Sequence, residues 1–359
     1  MNRFLFLLSS VILLAACGGS AVPGSSPAPS VSASSSAASA KPAGKLTKVT
    51  YGGMVPAPVS DSGIYIADAK GWFAEQGIKI DVQNFDTAAK AVAPLATNQL
   101  DVAGGSTGAG LNNAVNRGVE IFITADKATT SPGHGYAAIL VRTALKDQIK
   151  APADFKGKKV AIGGLGIAPE SVLAQMLKQG NLTPKDVRLT AMAQPDMLAA
   201  LSNGSVDAVL PIEPTVTAIL QQGSGVIFAR TDKYEPNEQF AVLLYSPAFA
   251  KNTDLATRFM VAYLKGVRYY NDAFDKNDPK ARQDVIDILS SRTLLKDKSL
   301  YDKVVMPGLN PDGKVNIDDL KLQQEYYLAA GEQEKPTDFN KLVKMSFAQA
   351  AVKQLGLYK

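Results

Sequence analysis

Ser106 stands among glycines in Gly104-Gly105-Ser106-Thr107-Gly108, and this G-x-S-x-G spacing, on a sharp strand-to-helix turn, lifts a serine hydroxyl for nucleophilic attack. The flanks fit that context: Asp101, Val102 and Ala103 read as the end of a short buried strand, and Leu111 onward reads as a small-residue helix. Attack also needs an acid and a histidine, following the serine in that order. The chain has a single histidine, His134, close behind Ser106, with Asp126 the nearest acid between them. In hydrolases of this kind both partners come from strands much later in the chain, so a secreted serine hydrolase is a poor reading.

What the same turn can do is bind. A strand that runs through glycines into a helix leaves unbonded N–H groups at the helix start, where the dipole favours a negative or strongly polar group. Glycine lets the backbone approach a ligand, and the Ser106 and Thr107 hydroxyls add rotatable donors. Gly105, Ser106 and Thr107 are therefore candidate ligand contacts. Gly163-Gly164-Leu165-Gly166-Ile167-Ala168-Pro169 is a second turn of this type, with Pro169 suited to a first helical turn. As a dinucleotide fingerprint it fails, because no third glycine follows at the required spacing. Asn310 to Asn316 fails as a calcium loop: with Gly313 at the sixth position, the first ligand position is Gly308 and the twelfth is Asp319 where glutamate is expected. No metal or cofactor is expected.

The elements that must position these turns begin after a long preface. Met1-Asn2-Arg3, the apolar run Phe4 to Leu14 and then Leu14-Ala15-Ala16-Cys17 read as a secretion signal over 1–16, too short to span a bilayer. Cys17 is the only cysteine, so a mature chain has no internal disulfide and no cysteine-ligated metal. Removing residues 1–16 takes away Arg3 alone among charged side chains, leaving a mild basic excess one unit below +5, scattered without a long basic run. That pattern carries no argument for nucleic acid. Gly18 to Lys45 is nearly all Ser, Ala, Pro and Gly, which cannot bury enough apolar surface to offset its chain entropy, so 17–45 is expected to be a disordered tether.

From Leu46 onward the chain is longer than a single core usually takes, since domains commonly split beyond about 250–300 residues. Short apolar strands alternate with helical patterns, the signature of a mainly parallel α/β sheet. Expected strands are 46–53, 78–84, 101–103, 120–125, 137–141, 160–163, 187–192, 207–212, 226–229 and 240–245. Expected helices include 64–76, 87–98, 169–179, 197–203 and 215–222. Beyond Pro247 long helical patterns cover 255–274, 281–290, 317–330 and 339–355. No internal repeat is obvious.

Tyr65-Ile66-Ala67 with Lys70-Gly71-Trp72-Phe73-Ala74-Glu75-Gln76-Gly77-Ile78 resembles the "YxAxxxGyFkeeGl" segment of ABC-transporter solute receptors. The subgroup includes nitrate, aliphatic-sulfonate, taurine and thiamine-pyrimidine-precursor receptors and the yeast pyrimidine synthases. Leu95 to Ala103 is similar to the family's "aLxsGxvDva", departing from it at Gln99. Ala153 to Val160 resembles "aDLkGKkvav", and Leu201 to Ala208 with Glu213-Pro214 resembles "LxxGxvDAxxxxeP". Leu-Ala-Ala-Cys before Gly18 resembles a bacterial lipobox, which implies that Cys17 is the lipid-attachment site.

The resemblance implies an α/β, type II periplasmic-binding-protein fold, two α/β lobes joined by two crossover strands with a ligand cleft between them. Lobe 1 is placed at 46–138 plus 247–359, lobe 2 at 139–246, with crossovers near 137–142 and 240–246. Ligands of open parallel sheets sit beyond the carboxyl ends of strands, which directs six turns at the cleft. These supply the remaining candidates: Asp61, Ser62 and Tyr65 near the first turn, Asp86 in the second, and Gly166, Ile167, Ser171, Gln194 and Glu213 in lobe 2. Asp61 and Ser62 could instead cap the first helix, and Glu213 could favour the helix starting at Thr215. Tyr65, Trp72 and Phe73 at helical spacing read first as core, and His134 as an exposed loop residue.

The function implied is that of an extracytoplasmic, lipid-anchored receptor in a bacterial cell envelope. It is a monomer without catalytic residues that binds a small polar or anionic solute and delivers it to a membrane permease driven by a separate ATPase. The alternatives are a surface sensor that presents its ligand to another protein and a pyrimidine-synthase-like enzyme. The enzyme reading is weakened by the single histidine and the single cysteine.

Overall fold

The computed structural model describes residues 45–54, 59–85, 88–293 and 295–359. The signal segment, Cys17, nearly all of the tether and Asp86 lie outside the described residues. In chain order the first elements are β1 (Thr47–Met54), α1 (Ser62–Ala69), α2 (Trp72–Glu75), β2 (Ile78–Phe85), α3 (Ala88–Ala96), β3 (Val102–Ser106), α4 (Ala109–Asn116) and β4 (Phe122–Thr129). Next come β5 (Ala138–Arg142), β6 (Lys159–Ile162), α5 (Ala168–Gln179), β7 (Arg188–Ala191), α6 (Gln194–Asn203), β8 (Ala208–Leu210), α7 (Thr215–Gln222), β9 (Gly225–Arg230) and β10 (Gln239–Tyr245). The chain closes with α8 (Pro247–Lys251), α9 (Thr253–Phe274), α10 (Pro279–Arg292), α11 (Ile317–Ala330), α12 (Phe339–Leu342) and α13 (Ser346–Leu355).

The strands form two five-stranded sheets, ordered β2-β1-β3-β10-β4 and β7-β6-β8-β5-β9. In each, three strands run parallel, the fourth is reversed and the fifth is reversed again. The two sheets therefore share one pattern that the sequence does not display as a repeat. The reversed strand in each comes from the far side of the chain's exchange: β10 enters the first sheet after β9 of the second, and β5 enters the second after β4 of the first. The expected crossovers at 137–142 and 240–246 are these reversed strands themselves. The connections lie just before them, at 130–137 and 231–238, and β10 pairs in the first sheet, not the second.

Apolar side chains cover both faces of each sheet. One face of the first packs under α1, α9 and α13, with Tyr51, Tyr245, Phe259 and Tyr263 at its centre, and the other under α3, α4 and α12. The second sheet is covered by α5 on one face and by α6 and α7 on the other. Two expected helices are interrupted. Gly71 takes φ +75°, a left-handed conformation that ends one helix and starts the next, so 64–76 divides into α1 and α2. The expected 339–355 divides likewise into α12 and α13, with Val343 in extended conformation between them.

Phe259 is fully buried and packs against the rings of Phe73, Tyr245 and Phe249. Phe259→Ala should destabilise the fold by about 3–5 kcal/mol, measured as a lower denaturant midpoint with the native circular dichroism retained.

Candidate functional site

The registers place the ends of the parallel strands on one edge of each sheet. On the first sheet that edge carries the C-terminal ends of β1, β3 and β4 and the start of β10 at Gln239; on the second it carries the ends of β6, β8 and β9 and the start of β5 at Ala138. Both connections run between these edges. They are also bonded to each other, Thr130 N donating to Glu238 O (3.1 Å) and Thr231 N to Ala137 O (3.2 Å). The two carboxyl edges are thus held together by a paired strap.

Across the gap the two glycine turns meet directly. Ala109 N, at the start of α4, donates to Gly166 O at 2.9 Å, and Gly108 and Ile167 form a backbone bridge. A Cβ on Gly108 would lie 2.3 Å from Gly166 O, so only glycine allows this approach. Two further contacts link the second unit to the C-terminal region: Tyr326 Oη donates to Glu170 Oε1 (2.8 Å), and Val305 N donates to Glu213 Oε1 (3.4 Å). The arrangement is closed.

The structure brings part of the expected contact set to this gap and turns the rest inward. Gly166 and Ile167 lie in the second of the apposed turns, whereas Gly105 and Ser106 form the end of β3 just before the first: pairing with β10 carries the strand through Ser106, beyond the expected end at Ala103. Ser106 is half-buried, and its hydroxyl bonds to no other described residue, as is also the case for the buried Tyr65. Thr107 is committed inside the first unit, its hydroxyl 2.8 Å from both Gln239 O and Gln323 Oε1. Ser62 donates to Val59 O within the turn preceding α1. Ser171 donates to Glu235 Oε2 of the second connection (3.0 Å), and Gln194 Oε1 accepts from Ile212 N (3.1 Å). Glu213 Oε2 accepts from Thr217 N (2.9 Å), the helix-start role, and burial pushes its carboxyl above the usual range. His134 is half-buried within the first connection, Nδ1 3.1 Å from Met306 O and Nε2 3.5 Å from Asp275, not in an exposed loop.

Asp61 has the most consequential surroundings. It is 1% exposed, its Oδ1 lies 2.5 Å from Lys127 Nζ and accepts from Tyr51 Oη (2.7 Å), and Lys127 also donates to Ser60 Oγ (3.1 Å). Lys127 is a cation beside the first cleft turn that sequence reasoning missed. It comes from the end of β4, where Asp126-Lys127 interrupts an apolar strand; two charged residues in such a run are the signal that could have found it. Its stem lies where a Gly104 side chain would be, 2.3 Å from the Cβ position. The neighbouring Asp126 is buried and pushed up to about 6, although Gln239 Nε2 (2.6 Å) and Asn310 N (2.7 Å) donate to it. The void behind Thr107 and Gly108 holds 210 Å³ of empty space but no room for a water-sized sphere, so it is a packing gap. Among the described residues, no group of three His, Cys, Asp or Glu side chains could hold a metal ion.

The profile of the family described as NMT1/THI5 like matches residues 60–275, which contain both connections and both apposed turns. The chain belongs to the NMT1/THI5-like family. It is 28% identical over 160 residues to the taurine-binding periplasmic protein of Escherichia coli (strain K12), a match that covers 44% of this chain and 47% of that protein. The chain thus spans about half the length of that relative. In fold it is similar to the periplasmic aliphatic sulphonate binding protein SsuA of Escherichia coli, with TM-score 0.65 and 19% identity over 83% of this chain and 92% of the other. It is also similar to the periplasmic nitrate-binding protein NrtA of Synechocystis PCC 6803, with TM-score 0.67 and 14% identity over 87% and 90%. The two α/β units with exchanged reversed strands are the periplasmic-binding-protein fold that the family's motifs imply.

Two expectations follow from the geometry. Lys127→Met leaves Asp61 buried without its partner and should cost about 3–5 kcal/mol by denaturant unfolding, with most of the loss recovered in Lys127→Met/Asp61→Leu. Gly108→Val should leave the melting temperature of the ligand-free protein within a few degrees while preventing the Gly108–Ile167 contact, seen as lost protection of the Ala109 amide in hydrogen exchange.

Proposed function

We propose that the chain is the extracytoplasmic solute receptor of an ATP-driven importer, which binds a small polar or anionic organic solute between its two units and hands it to a membrane permease. The observation that carries this reading is the paired strap with the Gly108–Gly166 approach: two rigid units joined at their ligand-binding edges can close over a solute that touches both. Such a solute stabilises the closed form by its differential affinity for that form, and closure is the signal a permease can read. No step requires bond chemistry from the receptor, which acts as a monomer. Cys17 would hold it at the membrane through an attached lipid.

The relatives named for taurine, sulphonate and nitrate support a sulfonate, nitrate or similarly compact ligand, with a pyrimidine or thiamine precursor as the neutral counterpart within the family. Backbone N–H groups of the glycine turns and the spare hydroxyls of Ser106 and Tyr65 suit either. Lys127 adds a positive charge at the first cleft turn, offset by Asp61.

The test begins by denaturing purified protein and identifying the released small molecules by mass spectrometry. Refolded protein then enters a thermal-shift panel of sulfonates, nitrate, carboxylates, pyrimidines and flavins. A true ligand at a hundred times its dissociation constant should stabilise by about 2.7 kcal/mol. Ser106→Ala should weaken that hit about five- to tenfold, the loss of roughly one neutral hydrogen bond, without lowering the ligand-free melting temperature. A hit that is chemically converted on incubation would replace the receptor with an enzyme.

A further inference from the structure

We propose that closing of the two units takes up a proton, because closure brings two carboxyl groups together: Glu170 of α5 and Glu332 just after α11. This rests on the units closing on one another and not on which solute they hold.

The geometry comes first. Glu170 belongs to the second unit and is held by Gly166 N (2.7 Å to Oε2) and Tyr326 Oη (2.8 Å to Oε1). Glu332, from the C-terminal region, stands within hydrogen-bonding range of it. Glu332 Oε2 is buried and receives no donor from the protein. An acceptor facing another acceptor is satisfied only by a proton between them. A second carboxyl cluster lies on the strap and stays assembled when the units part, because Asp319 is tied to the strap's end by Gln239 N, which donates to its Oδ2 (2.7 Å). Glu235 is 2% exposed; Ser171 of α5 donates to its Oε2, Asp319 is its hydrogen-bonding neighbour, and its Oε1 is buried without a donor. Glu238, fully buried beside them, accepts from Thr130 (3.1 Å) at Oε2 and has an equally donorless Oε1.

The surroundings offer no compensating cation. Facing Glu332 are Glu170 from α5 and Tyr326 and Tyr327 from α11; facing Glu235 are Glu238, Asp319 and Tyr327; facing Glu238 are Asp319, Tyr327 and, from the first connection, Tyr136. Among the described residues, no ion pair with lysine, arginine or histidine reaches any of the five carboxyls. Burial and the adjacent carboxyl push Glu332 up to about 7, Glu238 to about 8 and Glu235 to about 10. Glu235 and Glu238 belong to the strap cluster that does not part, so Glu332 is the group whose proton uptake changes with closure.

The sign is fixed by linkage. Glu332 has a raised value in the closed form and the ordinary carboxyl value once the units part and water reaches it. Closure is fully supported below that ordinary value and loses support as pH rises to about 7. One proton sets an upper limit of about tenfold in the closure constant per pH unit. Glu332 is half-buried, so solvent screening makes the dependence shallower.

Hydrogen exchange of the full chain tests this without any ligand, reading the Ala109 amide, whose bond to Gly166 O exists only when the units meet. After correction for intrinsic exchange, its protection should fall several-fold between pH 5 and pH 7.5 and level off above. The Ser246 amide, bonded to Asp101 O inside the first unit (2.9 Å), should stay constant and report an intact fold. Glu332→Gln sets an amide N–H donor against Glu170 at every pH and should hold Ala109 protection high and flat across the range. Tyr326→Phe removes a donor to Glu170 but leaves the pair, so its pH slope should persist. A Glu332→Gln profile that follows the parent's slope, protection lost at every pH in that variant, or no protection at any pH in the parent would each overturn the proposal. Failure to find a solute would leave these profiles unchanged, so the two readings fail separately.

Discussion

Both covalent connections between the sheets leave from carboxyl edges and arrive at carboxyl edges. A strand entering a sheet at its carboxyl edge must run against the parallel strands already there, so β5 and β10 are reversed. The same constraint puts Thr130, Thr231, Ala137 and Glu238 side by side in one strap and points the βα turns of both units at a shared gap. The apposed turns and the strap beside them both follow from where the chain crosses.

Packing that gap without a ligand makes heavy demands on polar groups. Charged side chains removed from water need a partner in fixed geometry, and a single lost partner is expensive. At the first edge the demand is met by opposite charges: Lys127 on Asp61, with Tyr51 and Ser60 completing the set. Between α5, α11 and the second connection it falls on carboxyls that burial beside like groups pushes above their usual range. Gln239 links the two regions, donating to Asp126 and to Ala241 O, receiving from Asn316 N, and accepting at its own carbonyl from Thr107. Backbone meets backbone across the gap at Gly108 and Ala109, and any side chain on Gly108 would run into Gly166 O.

Much of this was legible before the structure, and the gaps have physical causes. Strand runs such as Ala138–Val141 and Phe240–Tyr245 announce themselves by apolar composition, and the glycine turns by their helix-start context. An apolar run reads identically whichever sheet it joins, however, so the place of β10 was not legible. A hydroxyl's partner is equally hidden when it lies far along the chain: Thr107 meets Gln239 and Gln323, whereas its neighbour Ser106 bonds through its hydroxyl to no other described residue. Glu170 and Glu332 have no local pattern that unites them; only the packing of α5 against the region of α11 does. Family motifs carried the overall architecture, and the division of candidate contacts into gap-facing and inward-facing needed coordinates.

The central claim is that a solute sits between the two carboxyl edges and touches both units. Its most direct test is a crystal structure of the protein with the small molecule it carries from the cell. The account predicts ligand density beside Ser106, with at least one contact from each side of the gap. A solute held by one unit alone, or bound away from the two glycine turns, would contradict it.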